Sequence, residues 1–141
     1  MNLKWFAVIL LEVVLFASPP ISAAGPHKHH STAATATDPS YVFALATANR
    51  FLHAWQTGDL ETGTVLLSDS ARHSRDPEKF EQFFAGTADR AFEIARGKAN
   101  RGRYRFDVVL VTSAGSGIRR RFSEIIVVNA GKNDWLVDKL P

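Results

Sequence analysis

The chain has 141 residues, with 17 Lys or Arg against 14 Asp or Glu, a formal net charge of +3 and no cysteine. Less an N-terminal signal, that length supplies one hydrophobic core and not two. So mild a basicity does not single out nucleic acid as a partner, and the lack of thiols excludes disulfides and thiolate-held zinc or iron–sulfur centres.

The first segment, residues 1–24, reads as an export signal. Lys4 precedes an apolar run from Trp5 to Ala17, Pro19 and Pro20 break it, and Ser22-Ala23-Ala24 offers small residues for cleavage. The run is shorter than the roughly 20 apolar residues a bilayer crossing needs and is interrupted by Glu12. Without cysteine no lipid can be attached at its end. The expectation is a soluble periplasmic or extracellular domain, not held to a membrane after cleavage.

Residues 25–39 are rich in His, Ser, Thr, Ala and Pro without apolar periodicity and read as a flexible leader. His27, His29 and His30 are its metal candidates. Pro26 lacks the N–H that a square-planar amino-terminal site must lose, so no more than labile imidazole binding is expected.

The folded domain is expected over 40–141. Asp38-Pro39-Ser40 starts a helix whose Tyr41, Leu45, Ala48, Leu52 and Trp55 share one face, flanked by Ala44 and Phe51, with Thr57-Gly58 at its end. His53 lies about 140° around the helix from Ala48, towards solvent. Asp59 caps a shorter helix with Leu60, Leu66 and Leu67, weakened by Gly63. Asp76-Pro77 starts a third, with Phe80, Phe83 and Phe84 as its aromatic face.

Four strands follow: Ala91–Gly97, Arg103–Ser113, Ile118–Asn129 and Asp134–Leu140, the middle pair joined by Ala114-Gly115-Ser116-Gly117. The fold class is therefore α+β: three N-terminal helices packed on a curved, four-stranded antiparallel sheet.

The first helix running into Ala54-Trp55-Gln56-Thr57-Gly58-Asp59, and the closing hairpin with Asp134-Trp135-Leu136-Val137-Asp138, resemble the nuclear-transport-factor-two-like superfamily. This is the cystatin-like cone shared with SnoaL-like cyclases and ketosteroid isomerase. The resemblance covers roughly 38–141. It implies a pocket between helices and sheet and no particular activity. The steroid isomerases' carboxylate and tyrosine–acid pair find no counterpart: Tyr41 and Tyr104 have no evident acidic partner in the sequence.

Pairing the central strands with Thr112 opposite Ile118 sets Tyr104 against Ile126, Phe106 against Glu124, Val108 against Phe122 and Leu110 against Arg120. Trp55, Tyr104, Phe106, Val108, Arg120, Phe122 and Glu124 then line the pocket. Glu124 is the one candidate acid or base, alternatively half of a structural pair with Arg120. Slippage by one residue would exchange the faces. On the other face Val109, Ile125 and Val127, rimmed by arginines, suit a homodimer contact.

Three functions stay open. One is a non-enzymatic module binding a small apolar or amphipathic ligand, or acting through dimerisation. The second is an isomerase, dehydratase or hydrolase using Glu124, and the third is an envelope adaptor. No cofactor and no nucleic acid is implied.

Overall fold

The computed structural model describes residues 32–33, 38–86 and 88–141. The expected signal and most of the leader, with His27, His29 and His30, lie outside the described residues. The order is β1 (Thr32–Ala33), α1 (Pro39–Thr57), α2 (Leu60–Val65), α3 (Asp69–Ser74), α4 (Pro77–Phe84), β2 (Asp89–Ile94), β3 (Lys98–Asn100), β4 (Arg103–Ala114), β5 (Gly117–Gly131) and β6 (Asp134–Lys139). The α+β class holds, with helices on one side of a curved antiparallel sheet.

The start of α1 follows from its first three residues. Asp38 accepts the Ser40 N–H at 3.0 Å, Pro39 needs no donor partner at the first helical position, and Gly58 ends the helix at φ 74°. Its buried stripe is Tyr41, Ala44, Ala48, Phe51, Leu52 and Trp55. The helix is therefore rolled slightly towards Ala44 and Phe51, leaving Leu45 half-buried.

A fourth helix, α3, was not anticipated. Ser68 caps it by accepting the Ala71 N–H at 3.1 Å, with Asp69 in the first turn and Arg72 and His73 in the last. Ser68 also ties the helix layer to the sheet. Its hydroxyl donates to Asp138 at 2.7 Å, and Leu67 bridges Val137 in parallel. In the segment read as leader, Thr32 and Ala33 pair with Ala99 and Lys98.

β2 and β3 both pair with β4, so they are one strand broken at 95–97. The break has a packing cause. A Cβ on Gly97 would stand 2.4 Å from Cε1 of Phe106, a fully buried ring. Gly63 is buried for a like reason, against the ring of Phe84.

β4 and β5 are joined by a two-residue turn, Gly115-Ser116, with Ala114 opposite Gly117. Such turns match strand twist better than the longer loop assumed from sequence. The pairing is consequently shifted by one residue. Tyr104 faces Val127, Phe106 faces Ile125, Val108 faces Ser123, Leu110 faces Arg121 and Thr112 faces Arg119.

Tyr104 corrects the reading that neither tyrosine has an acidic partner. Its hydroxyl donates to Asp38 at 2.6 Å, so the residue that caps α1 also fastens it to β4. Burial, reinforced by the hydrogen bond and charge of Asp38, pushes the Tyr104 hydroxyl up to about 12. The unfolded chain releases that proton near 10. This raised value contributes stability in full below pH 10 and loses it as pH rises from 10 towards 12. Tyr104→Phe is expected to cost about 1 kcal/mol at pH 8 and to flatten the alkaline loss in urea unfolding. Equal alkaline losses in both proteins would refute the linkage.

Candidate functional site

The one-residue shift rearranges the expected site. Trp55 of α1 and Tyr104, Phe106 and Val108 of β4 are buried between the helices and the sheet. Arg120, Phe122 and Glu124 share the opposite face with Arg105, Asp107 and Val109. Phe122, expected to line the pocket, is 78% exposed.

Glu124 is engaged on that outer face by Lys139 Nζ at 2.6 Å and Arg105 Nε at 3.5 Å. The Lys139 hydrogen bond, then the charges of Lys139 and Arg105, hold its carboxyl below the usual range, against an opposing contribution from burial. Its ion-pair partners are the cross-strand cations Lys139 and Arg105, not Arg120. The expected dimer set divides likewise. Val109 is on the outer face, but Ile125 and Val127 are fully buried against the helices.

The interior between helices and sheet is filled. Phe51, Leu52, Phe106, Ile125, Val127 and Val137 have no exposed surface, and Tyr41 packs edge-on to Tyr104 at 6.0 Å. Space opens instead at the hairpin end of the helix-facing side, where β4 and β5 run past the ends of α1 and α4.

That space has a volume of about 680 Å³. Trp55, Phe83 and Leu110 form its apolar wall, with Arg90, Thr112, Arg119 and Arg121 around it. Phe83 stacks on Trp55 at 5.7 Å and lies under the Arg121 guanidinium at 5.5 Å. Arg120 adds to the lining from the strand between Arg119 and Arg121, and no carboxylate is among the described lining residues.

The sheet's registers explain why polarity changes along this face. Val108 and Ser123 make one rung, Phe92, Leu110 and Arg121 the next, and Arg90, Thr112 and Arg119 the last. Apolar side chains give way to hydroxyl and guanidinium groups as the strands leave the helix layer.

Arg90 holds this end together. Its Nη1 donates to the carbonyls of Trp55 at 2.6 Å and Phe84 at 2.9 Å, and its Nη2 donates to Ala85. These are carbonyls at the C-terminal ends of α1 and α4, where helical partners run out; that of Trp55 also accepts the Gly58 N–H at 3.3 Å. Gln56 returns a hydrogen bond to the Arg90 carbonyl at 2.8 Å.

Arg90, Phe83, Leu110, Thr112, Arg119 and Arg121 were missed as site residues by sequence reasoning. The preference for two-residue hairpins, applied to Gly115-Ser116, would have brought four of them to one face. His53 is exposed, as its helical angle indicates, and packs on Phe92 at 5.4 Å. His73 is also exposed, its Nδ1 2.6 Å from the Asp69 carbonyl. No metal-binding cluster of His, Asp or Glu occurs among the described residues, and no helix there is long and apolar enough to cross a membrane.

No family model and no curated protein matches the chain. Similar folds are found among solved structures, including the following two. A SEC-C motif containing protein from Psychrobacter arcticus aligns with a TM-score of 0.55 at 13% identity, over 68% of this chain and 58% of that one. An LEH-like epoxide hydrolase of M. tuberculosis, a nuclear-transport-factor-two-like fold, aligns with a TM-score of 0.50 at 14% identity, over 70% of this chain and 80% of that one. This chain thus spans under two thirds of the first protein's length. At such identities the likeness concerns the fold alone.

Proposed function

We propose that this is an exported module of the nuclear-transport-factor-two-like kind that binds a small amphipathic molecule at the hairpin end of its helix-facing side. The observation that carries the reading is the cavity of about 680 Å³ walled by Trp55, Phe83 and Leu110; the clefts of similar size, about 630 and 600 Å³, are bordered instead by Glu93, Asp107 and Glu124 or by Arg50, Asp69 and Arg72. Concave, mostly apolar sites with a few convergent polar groups are the usual form of small-molecule pockets. The signal-like residues 1–24 support export; a secreted chain is expected to begin at Gly25, and N-terminal sequencing of cell fractions that finds only Met1 would refute it.

The rival enzymatic reading depended on an in-cone carboxylate. Glu124 lies on the opposite face, tied to Lys139, and the cavity offers no replacement among its described lining residues. Binding is the reading the geometry favours.

Decanol titrated into the full chain by calorimetry is expected to give a saturable isotherm. Thr112→Trp, which fills the cavity from a half-buried position, should abolish it, whereas Val109→Trp on the opposite face should leave it. Absence of saturable binding, or equal loss in both variants, would sink the proposal.

A further inference from the structure

Resting on the reading that the hairpin-end cavity takes an amphipathic ligand, we infer that this ligand carries an anionic group, a carboxylate or sulfonate, held by Arg119 and Arg121 with its apolar part against Trp55, Phe83 and Leu110. Four arginines border the cavity and no described lining residue carries a negative charge. On the opposite face of the sheet and at its far end cations meet carboxylates: Lys98 with Asp107, Arg103 with Asp138, and Arg105 and Lys139 with Glu124. None of those pairs reaches this cavity.

The four cations are not equivalent. Arg90 is committed to three main-chain carbonyls and serves the fold. Arg120 sits on the alternate face of β5. Arg121 lies over Phe83 and gives one hydrogen bond to the Pro141 oxygen at 2.9 Å. A guanidinium has five N–H groups, so most of its donors stay available. The Arg119 side chain makes no hydrogen bond or ion pair among the described residues.

Arg119 and Arg121 are alternate residues of one strand, roughly 6.5–7 Å apart along it and on the same face. Thr112 stands directly opposite Arg119, adding a hydroxyl donor to the same rung. Two like charges so placed repel each other, and one oxyanion reached by both relieves that repulsion while accepting charge-assisted hydrogen bonds. Arg119 shares its rung with Arg90 and Thr112, whereas Arg121 shares the next rung inward with Leu110, so the polar end of the cavity adjoins the apolar wall at Arg121. A guanidinium resting on an aromatic ring, as Arg121 rests on Phe83, marks where the two environments meet.

The test compares decanoate with decanol, both below the concentration at which decanoate forms micelles, by calorimetry on the full chain at pH 8. Decanoate is expected to bind about tenfold more tightly. The double variant Arg119→Gln/Arg121→Gln should bring that ratio to about one, and Arg105→Gln on the opposite face should retain it. Equal affinities in the wild-type chain, or a ratio that survives the double variant, would overturn the inference. So would an absence of decanoate preference together with co-sedimentation on phosphatidylglycerol vesicles, which would assign the arginines to a bilayer surface. If decanoate binds and decanol does not, the anion site stands while the apolar-cavity reading falls; if neither binds, both fall.

Discussion

Arg90→Met is expected to destabilise the domain by about 3 kcal/mol, with Tm falling by roughly 10–20 °C. The side chain of Arg90 donates to the carbonyls of Trp55, Phe84 and Ala85, closing the C-terminal ends of α1 and α4 with one planar group. A hydrogen bond from a charged donor contributes about 1.5–3 kcal/mol when buried. Here the bonds are part-buried to exposed, so about 1 kcal/mol each is the appropriate scale. Loss of a cation next to two helix C-termini adds a few tenths more.

Lysine does not restore the clamp, because an ammonium cannot present its donors in the same rigid fork. Arg90→Lys is therefore expected to recover less than half of the loss. Thermal unfolding followed by circular dichroism decides it: an Arg90→Met protein melting within 2 or 3 °C of wild type, on the order of a surface substitution, would show that the clamp carries no stability.

Gly97→Ala is expected to cost about 2–3 kcal/mol, well above what a glycine-to-alanine change costs in an open loop. The added methyl would lie 2.4 Å from Cε1, 2.7 Å from Cδ1 and 3.0 Å from Cζ of Phe106. That ring has no exposed surface and packs on Tyr41 at 5.8 Å, so it has nowhere to withdraw. Gly102 is the control: its φ is 75° but nothing lies within 4 Å of a Cβ there. Gly102→Ala should cost only the backbone term, about 1–2 kcal/mol. In a Phe106→Leu background the Gly97→Ala penalty should shrink, since the two residues share one volume. Equal penalties for Gly97→Ala in both backgrounds would refute the steric account.

Much of the helical layer was legible from local signals. Asp38-Pro39, Thr57-Gly58-Asp59 and Asp76-Pro77 each state a start or a stop within two or three residues, and α1 and α4 follow them closely. α3 was overlooked although Ser68-Asp69 at its start and Arg72-His73 at its end carry the same kind of signal; with six residues it has too few turns for an apolar period to show.

The site was far less legible. Its composition rests on the register of β4 against β5, and one residue more or less in the turn exchanges every side chain between faces. Alternation alone could not choose, because Ile118, Phe122 and Ile126 on one face are as apolar as Ile125 and Val127 on the other. The turn length decided it. The Tyr104–Asp38 and Arg90–Trp55 contacts join residues 66 and 35 positions apart and have no local signature at all.

The parallel bridge between Leu67 and Val137 has a consequence for how this chain behaves in concentrated solution. Val137 donates to the Leu66 carbonyl and accepts from the Ser68 N–H, both at 2.8 Å, so the outer rim of β6 is already occupied there. On the far side Thr32 and Ala33 occupy β3. What stays uncovered among the described strands includes β2, a six-residue edge that sets Asp89, Arg90 and Glu93 among its apolar residues, and the part of β5 before Ile126, which carries Arg119, Arg120 and Arg121. Short or charged edges resist the addition of a foreign strand, so the sheet gives an incoming polypeptide little template on which to polymerise.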